Sequence, residues 1–71
     1  MNKALFRSFM VLNGDTNKSL AEFLKKSEQT VCNKINENGT EFTQGEIAAI
    51  SERYNFTPEQ IKDVFFTAKV S

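Results

Sequence analysis

Short hydroxyl-bearing residues recur along this chain where helices can begin, and that punctuation does most to limit what 71 residues can fold into. Thr16, Ser27, Thr43 and Thr57 each precede a segment with apolar residues at helical spacing. Each can offer a side-chain oxygen to the backbone N–H groups that the first turn of a helix leaves unpaired. Thr43 with Glu46, and Thr57 with Gln60, have the reciprocal spacing in which each side chain reaches the other's free N–H. Pro58 stands at a first helical position, where its missing N–H costs nothing. No segment alternates apolar and polar residues over a strand's length, so strands are not expected. The predicted fold class is all-α: five short helices in one compact domain over residues 1–71, with no repeat, low-complexity tract or linker.

The first helix is expected from about Asn2 to Asn13, with Leu5, Phe9 and Leu12 on one stripe and Gly14 following as a left-handed cap. The second, after Thr16, turns Leu20, Ala21 and Leu24 toward the core, and the third runs from Ser27 to Asn36. A polar turn over 36–40 then leads to a fourth helix carrying Ile47, Ile50 and Tyr54, and a fifth carrying Ile61, Val64 and Phe65. Phe42 and Phe56, just ahead of these last two helices, are expected to pack as anchors.

A domain this short buries only about 60% of the surface its unfolded chain exposes, so its stability is expected to be modest. Cys32 is the only cysteine and there is no histidine, which excludes an internal disulfide and a Cys/His zinc site. No metal and no cofactor is expected. The longest apolar runs, 9–12 and 47–50, fall far short of the roughly 20 residues that span a bilayer. No membrane helix is therefore predicted, and a cytoplasmic location is expected, which a single unpaired thiol suits. There is no glycine-rich phosphate loop and no carboxylate cluster at helical spacing, so neither catalysis nor a small-molecule ligand is expected.

Formal net charge is zero, which by itself argues against nucleic acid, because basic surface supplies most phosphate affinity. The distribution is polarised, however. Residues 1–35 hold six basic side chains against three acidic ones, and residues 36–71 hold three against six. That asymmetry suits a molecule of which one face meets phosphate.

The third helix has an unusual composition. Only Val31 and Ile35 are strongly apolar, and they stand four apart on one narrow stripe. At about 100° per residue, Gln29, Asn33 and Asn36 lie opposite that stripe, Glu28 and Cys32 lie between, and Lys34 sits on the other flank. Glutamine and asparagine pair bidentately with adenine in the major groove, and short polar side chains allow close approach to base edges. The plain alternative is a solvent-exposed helix, for which lysine and glutamate are commoner choices. The small Ala21, between Leu20 and Leu24, lets the next helix cross closely after the tight Lys25-Lys26 connection, as a two-helix unit with a short turn requires.

The run Leu20-Ala21-x-x-Leu24-x-x-Ser27-x-x-Thr30-Val31-x-x-Lys34-Ile35-Asn36 resembles the helix-turn-helix of the lambda-repressor-like, or xenobiotic-response-element (XRE), family. The continuation Gly39-x-x-Phe42-Thr43-x-x-Glu46-Ile47, then Phe56 to Ile61 and Phe65-Phe66, is similar to the short phage and mobile-element regulators within it. The resemblance covers most of the chain, with the helix-turn-helix at about residues 17–36. It implies a repressor- or Cro-like transcriptional regulator in a bacterial host cell, reading a two-fold double-stranded DNA operator, often as a homodimer and without a cofactor. It places Asn17 and Ser27 at phosphates and Glu28, Gln29, Cys32 and Asn33 at bases, with Thr30 and Asn36 also on the DNA-binding side. Lys18 and Lys34 would add salt-sensitive contacts. The rival reading is a protein-interaction module that kept this scaffold and lost DNA binding.

The chain departs from the family pattern at several places. Lys25 stands where the turn glycine is usual, so a left-handed backbone there would be strained. Lys26 replaces an aliphatic residue, and Phe23 replaces a small or polar one, which suggests an exposed apolar contact. Cys32 reads as a small, weakly polar filler more readily than as a redox switch. On the fifth helix, Phe66 and Val70 point away from the Ile61, Val64, Phe65 and Ala68 face. They form a candidate homodimer contact, unless Phe66 packs into its own core.

Overall fold

A computed structural model describes residues 1–66. Within them lie α1 (Lys3–Leu12), α2 (Asn17–Leu24), α3 (Glu28–Ile35), α4 (Gln44–Tyr54) and α5 (Pro58–Phe65), and no strand. Each helix begins on a side-chain oxygen that accepts the N–H three residues on. The pairs are Asn2 with Leu5, Thr16 with Ser19, Ser27 with Thr30, Thr43 with Glu46, and Thr57 with Gln60. In α2, α4 and α5 the partner side chain also accepts the cap residue's own N–H, closing the reciprocal box. Losing such a cap typically costs about 1 kcal/mol, so the starts are sharply specified.

The ends of α1 to α4 share one device. The N–H of Asp15, Lys26, Asn38 and Phe56 bonds back to the carbonyl of Met10, Ala21, Asn33 and Ser51 at 2.8–2.9 Å. The residue just before each donor, Gly14, Lys25, Glu37 or Asn55, is left-handed with φ between 55° and 70°. This closure satisfies carbonyls that the last turn leaves open. Lys25 thus adopts the left-handed conformation although it carries a Cβ, at a cost of order 1–2 kcal/mol relative to a relaxed residue.

The core draws on every helix: Phe6 and Met10, Leu20 and Ala21, Val31 and Ile35, Ile50 and Tyr54, and Val64, with Phe42 from the loop before α4. Aromatic rings organise it. Phe6 stacks on Phe42 at 5.5 Å and meets Phe65 edge-on at 5.8 Å, while Phe9 meets Phe56 at 4.7 Å. The two anchors ahead of α4 and α5 therefore pack as expected. The buried face of α1 is rotated from the expected one: Phe6 and Met10 are buried, Leu5 and Phe9 pack at the margin, and Leu12 is 76% exposed. The expected Leu5-Phe9-Leu12 stripe loses to the side that carries the large Phe6 ring, because that ring has aromatic partners on α4 and α5 to bury against. The N–H of Asn2 donates to the carbonyl of Val64 at 2.7 Å and fastens the start of α1 to α5.

Candidate nucleic-acid interface

Helices α2 and α3 form the most extensive helix pair in the molecule. Leu20 and Ala21 of one, and Val31 and Ile35 of the other, are almost wholly buried. Lys25, Lys26 and Ser27 connect them. The left-handed Lys25 reverses the chain, and the Ser27 hydroxyl oxygen then accepts the Thr30 N–H at 3.1 Å to start α3. Ser27 and Thr30 hydroxyls also hydrogen-bond to each other at 2.8 Å, which fixes both at the start of the helix.

With Val31 and Ile35 turned inward, the opposite side of α3 faces solvent. Glu28 and Gln29 are exposed, and Cys32, Asn33 and Asn36 are half-buried. The Gln29 amide nitrogen donates to the Asn33 amide oxygen at 3.1 Å, so the two amides form a linked pair along the outer face. One turn further, the Asn36 amide donates to Cys32 Sγ at 3.4 Å. Asn17, from the start of α2, joins Glu28, Gln29 and Cys32 around one open hollow. Four residues assigned to DNA from sequence are thereby brought together on one surface, and Lys18 is exposed on the adjoining first turn of α2.

Lys34 is elsewhere. Instead of projecting from the flank of α3, it is buried, and its ammonium donates to Glu46 Oε1 at 2.6 Å. The same carboxylate oxygen accepts the Thr43 N–H at 2.9 Å, so Lys34 is tied into the cap of α4. Its aliphatic stem covers core while its charge finds a partner. Burial pushes the Glu46 carboxyl up, but the Lys34 ammonium and the Thr43 N–H outweigh it and hold the group below its ordinary range. The Lys34 charge is thus engaged inside the protein and is not the exposed, salt-sensitive contact expected of it.

A second ion pair braces the connection between α1 and α2. Asp15 accepts two hydrogen bonds from the Arg53 guanidinium, at 2.7 and 2.8 Å, one from the Tyr54 hydroxyl at 2.7 Å and one from the Ser19 hydroxyl at 2.8 Å. The guanidinium, with the Tyr54 and Ser19 hydroxyls, holds the Asp15 carboxyl far below its ordinary value against the cost of burial. Burial and the neighbouring carboxylate push the Tyr54 hydroxyl up. The guanidinium carbon of Arg53 also sits 4.5 Å from the centre of the Phe23 ring. The exposed apolar contact expected at Phe23 is thus a cation–π contact. Lys26 is exposed and supplies no core contact of the kind the family pattern has there.

Lys3 was not among the residues suggested by sequence, yet its ammonium donates to the Asn36 amide oxygen at 3.2 Å. The two residues are 33 apart in the chain and no local pattern links them. Phe66 is 60% exposed, beside Met1, Phe42, Ile47 and Phe65 in a groove, so it does not pack fully into its own core. Val70, its proposed companion, lies outside the described residues.

Among the described residues no group of His, Cys, Asp and Glu could hold a metal ion, and no helix is long and apolar enough to cross a membrane. Neither a protein-family model, nor a curated protein, nor a solved structure matches the chain.

Proposed function

We propose that this chain is a lambda-repressor-like helix-turn-helix domain that binds double-stranded DNA sequence-specifically, with α3 in the major groove, as a small transcriptional regulator of the repressor or Cro kind. The observation that carries this reading is the linked Gln29–Asn33 amide pair on the exposed side of a helix held by Val31 and Ile35. With one amide donating to the other, the pair still presents a free oxygen on Gln29 and a free NH₂ on Asn33. An adenine edge offers a donor and an acceptor to match. Ser27 and Asn17, at the starts of α3 and α2, are the positioning contacts to phosphate, Lys18 adds charge, and Glu28 and Cys32 lie beside the reading pair. The regulator acts in a bacterial cytoplasm, and a homodimer joined through the Phe66 side of α5 reads the two halves of an operator.

Selection from random duplexes at low and moderate salt tests the reading. An enriched sequence whose affinity falls as salt rises is the expected result. Failure to enrich any duplex at low salt overturns it. The rival, a protein-interaction module on this scaffold, is favoured by the burial of Lys34, which removes a cation from a chain of zero net charge. It predicts no duplex preference at any salt.

A further inference from the structure

Burial of Lys34 leaves the reading face in need of cations, and two stand on a helix outside the α2–α3 pair. Lys3 and Arg7 are four apart on α1, on one side of that helix and about 6 Å apart along its axis. Both are exposed, and no salt bridge among the described residues engages either. Lys3 reaches the C-terminal end of α3, where its ammonium meets Asn36. Arg7 reaches the other end of the face and shares a shallow groove with Asn17 at the start of α2. The hydrogen bond from Asn36 to Cys32, and the hollow that Cys32 shares with Asn17, run between these two points. The basic edge of α1 therefore runs from the C-terminal end of α3, at Asn36, to the start of α2, at Asn17. Arg53, by contrast, is committed to Asp15.

The geometry points to Lys3 and Arg7 as a phosphate-contacting row that flanks the reading helix, an inference that rests on the DNA-binding function proposed above. The row takes a DNA strand's phosphates as ligand and carries no base information of its own. Long flexible cations at this spacing suit adjacent phosphates without fixing the sequence between them.

The test is a salt titration of binding to the duplex selected by the wild type, with Lys3→Gln/Arg7→Gln alongside it. Each lost phosphate contact reduces the slope of log affinity against log salt by about 0.9. The double variant is expected to lose about 1.8 from that slope, a relative loss of roughly 60-fold between 1 M and 0.1 M salt. The ranking of base substitutions in the duplex should stay as in the wild type. Lys3→Arg/Arg7→Lys, which keeps both charges, should restore the slope. Circular dichroism and melting of each variant confirm folding, which two exposed positions should leave intact. A wild-type slope in the double variant overturns the row while leaving DNA binding standing. So does a loss of about 0.9 in Lys62→Gln, an exposed cation on α5, because each charge would then count the same wherever it stands and the effect would be one of net charge. If the wild type selects no duplex, the functional reading fails and the row with it.

Discussion

Lys34 Nζ lies 2.6 Å from Glu46 Oε1, and both side chains are 11% exposed, so α3 and the cap of α4 share one shielded ion pair. A charge in such a place is tolerated only while its partner is present. Lys34→Ala leaves Glu46 unpaired and should cost about 3 kcal/mol of stability in urea unfolding. Lys34→Met/Glu46→Gln, which removes both charges and keeps an acceptor for the Thr43 N–H, should cost less than Lys34→Ala alone. Neither change should alter the salt dependence of DNA binding, since the charge removed faces the protein.

Acid should weaken the domain through Asp15. Its folded pKa is depressed below the ordinary 3.8, so the unfolded chain takes up the proton first as pH falls. The stability it contributes is full above about pH 5 and drains away as pH drops through and below about 4. Asp15→Asn should be less stable at pH 7 and show a flatter decline between pH 5 and 2. An equally steep decline in that variant would show that the bracing carboxylate is not the one that titrates.

Alkali acts through the neighbouring hydroxyl with the opposite sign. Tyr54 has a raised folded pKa, so its contribution is complete below the ordinary value of 10.0 and is lost as pH rises beyond it. Tyr54→Phe should remove that alkaline loss and cost about 1.5–3 kcal/mol at neutral pH, one hydrogen bond to a buried carboxylate. Chemical unfolding at pH 7 and pH 11 checks both parts.

Backbone strain at Lys25 should be relieved by glycine. Lys25→Gly is expected to stabilise the domain by about 0.5–1 kcal/mol, because the left-handed region costs glycine nothing. Asn55→Gly, at the equivalent place after α4, should gain less, since asparagine already tolerates that region. A destabilised Lys25→Gly would mean that the lysine side chain contributes more than its backbone costs.

The reading pair should separate specificity from stability. Gln29→Ala and Asn33→Ala remove exposed or half-exposed amides, so melting should shift little. Affinity for the selected duplex should fall by about 1–3 kcal/mol for each, with random duplexes affected less. Equal loss on both kinds of duplex would assign the amides to the backbone and not to the bases.

The starts of the helices were legible because a cap works within three residues: Thr16, Ser27, Thr43 and Thr57 announce themselves locally. The ends were legible only in part. Gly14 is a residue that invites a left-handed turn, whereas Lys25 and Glu37 adopt it although each carries a Cβ, closed by the backbone bonds from Lys26 to Ala21 and from Asn38 to Asn33. The side of α1 that faces inward could not be read from its own apolar spacing, because Phe6 competes with Leu5 and Leu12 and the rings that decide the matter belong to other elements. At the candidate interface, Val31 and Ile35 set the direction of Gln29 and Asn33 through helical periodicity alone. Lys34 and Lys3 were opaque for one reason: their partners, Glu46 and Asn36, are 12 and 33 residues away.

The bond from the Asn2 N–H to the Val64 carbonyl makes α1 and α5 mechanically interdependent. Peeling α5 away breaks the fastening at the start of α1, and fraying α1 at that point exposes the Val64 carbonyl. The two should open as one unit in hydrogen exchange, with the Asn2 amide reporting the free energy of that joint opening. Lys3 is the next residue along, so one hydrogen bond and one peptide bond separate the last turn of α5 from the cation beside Asn36.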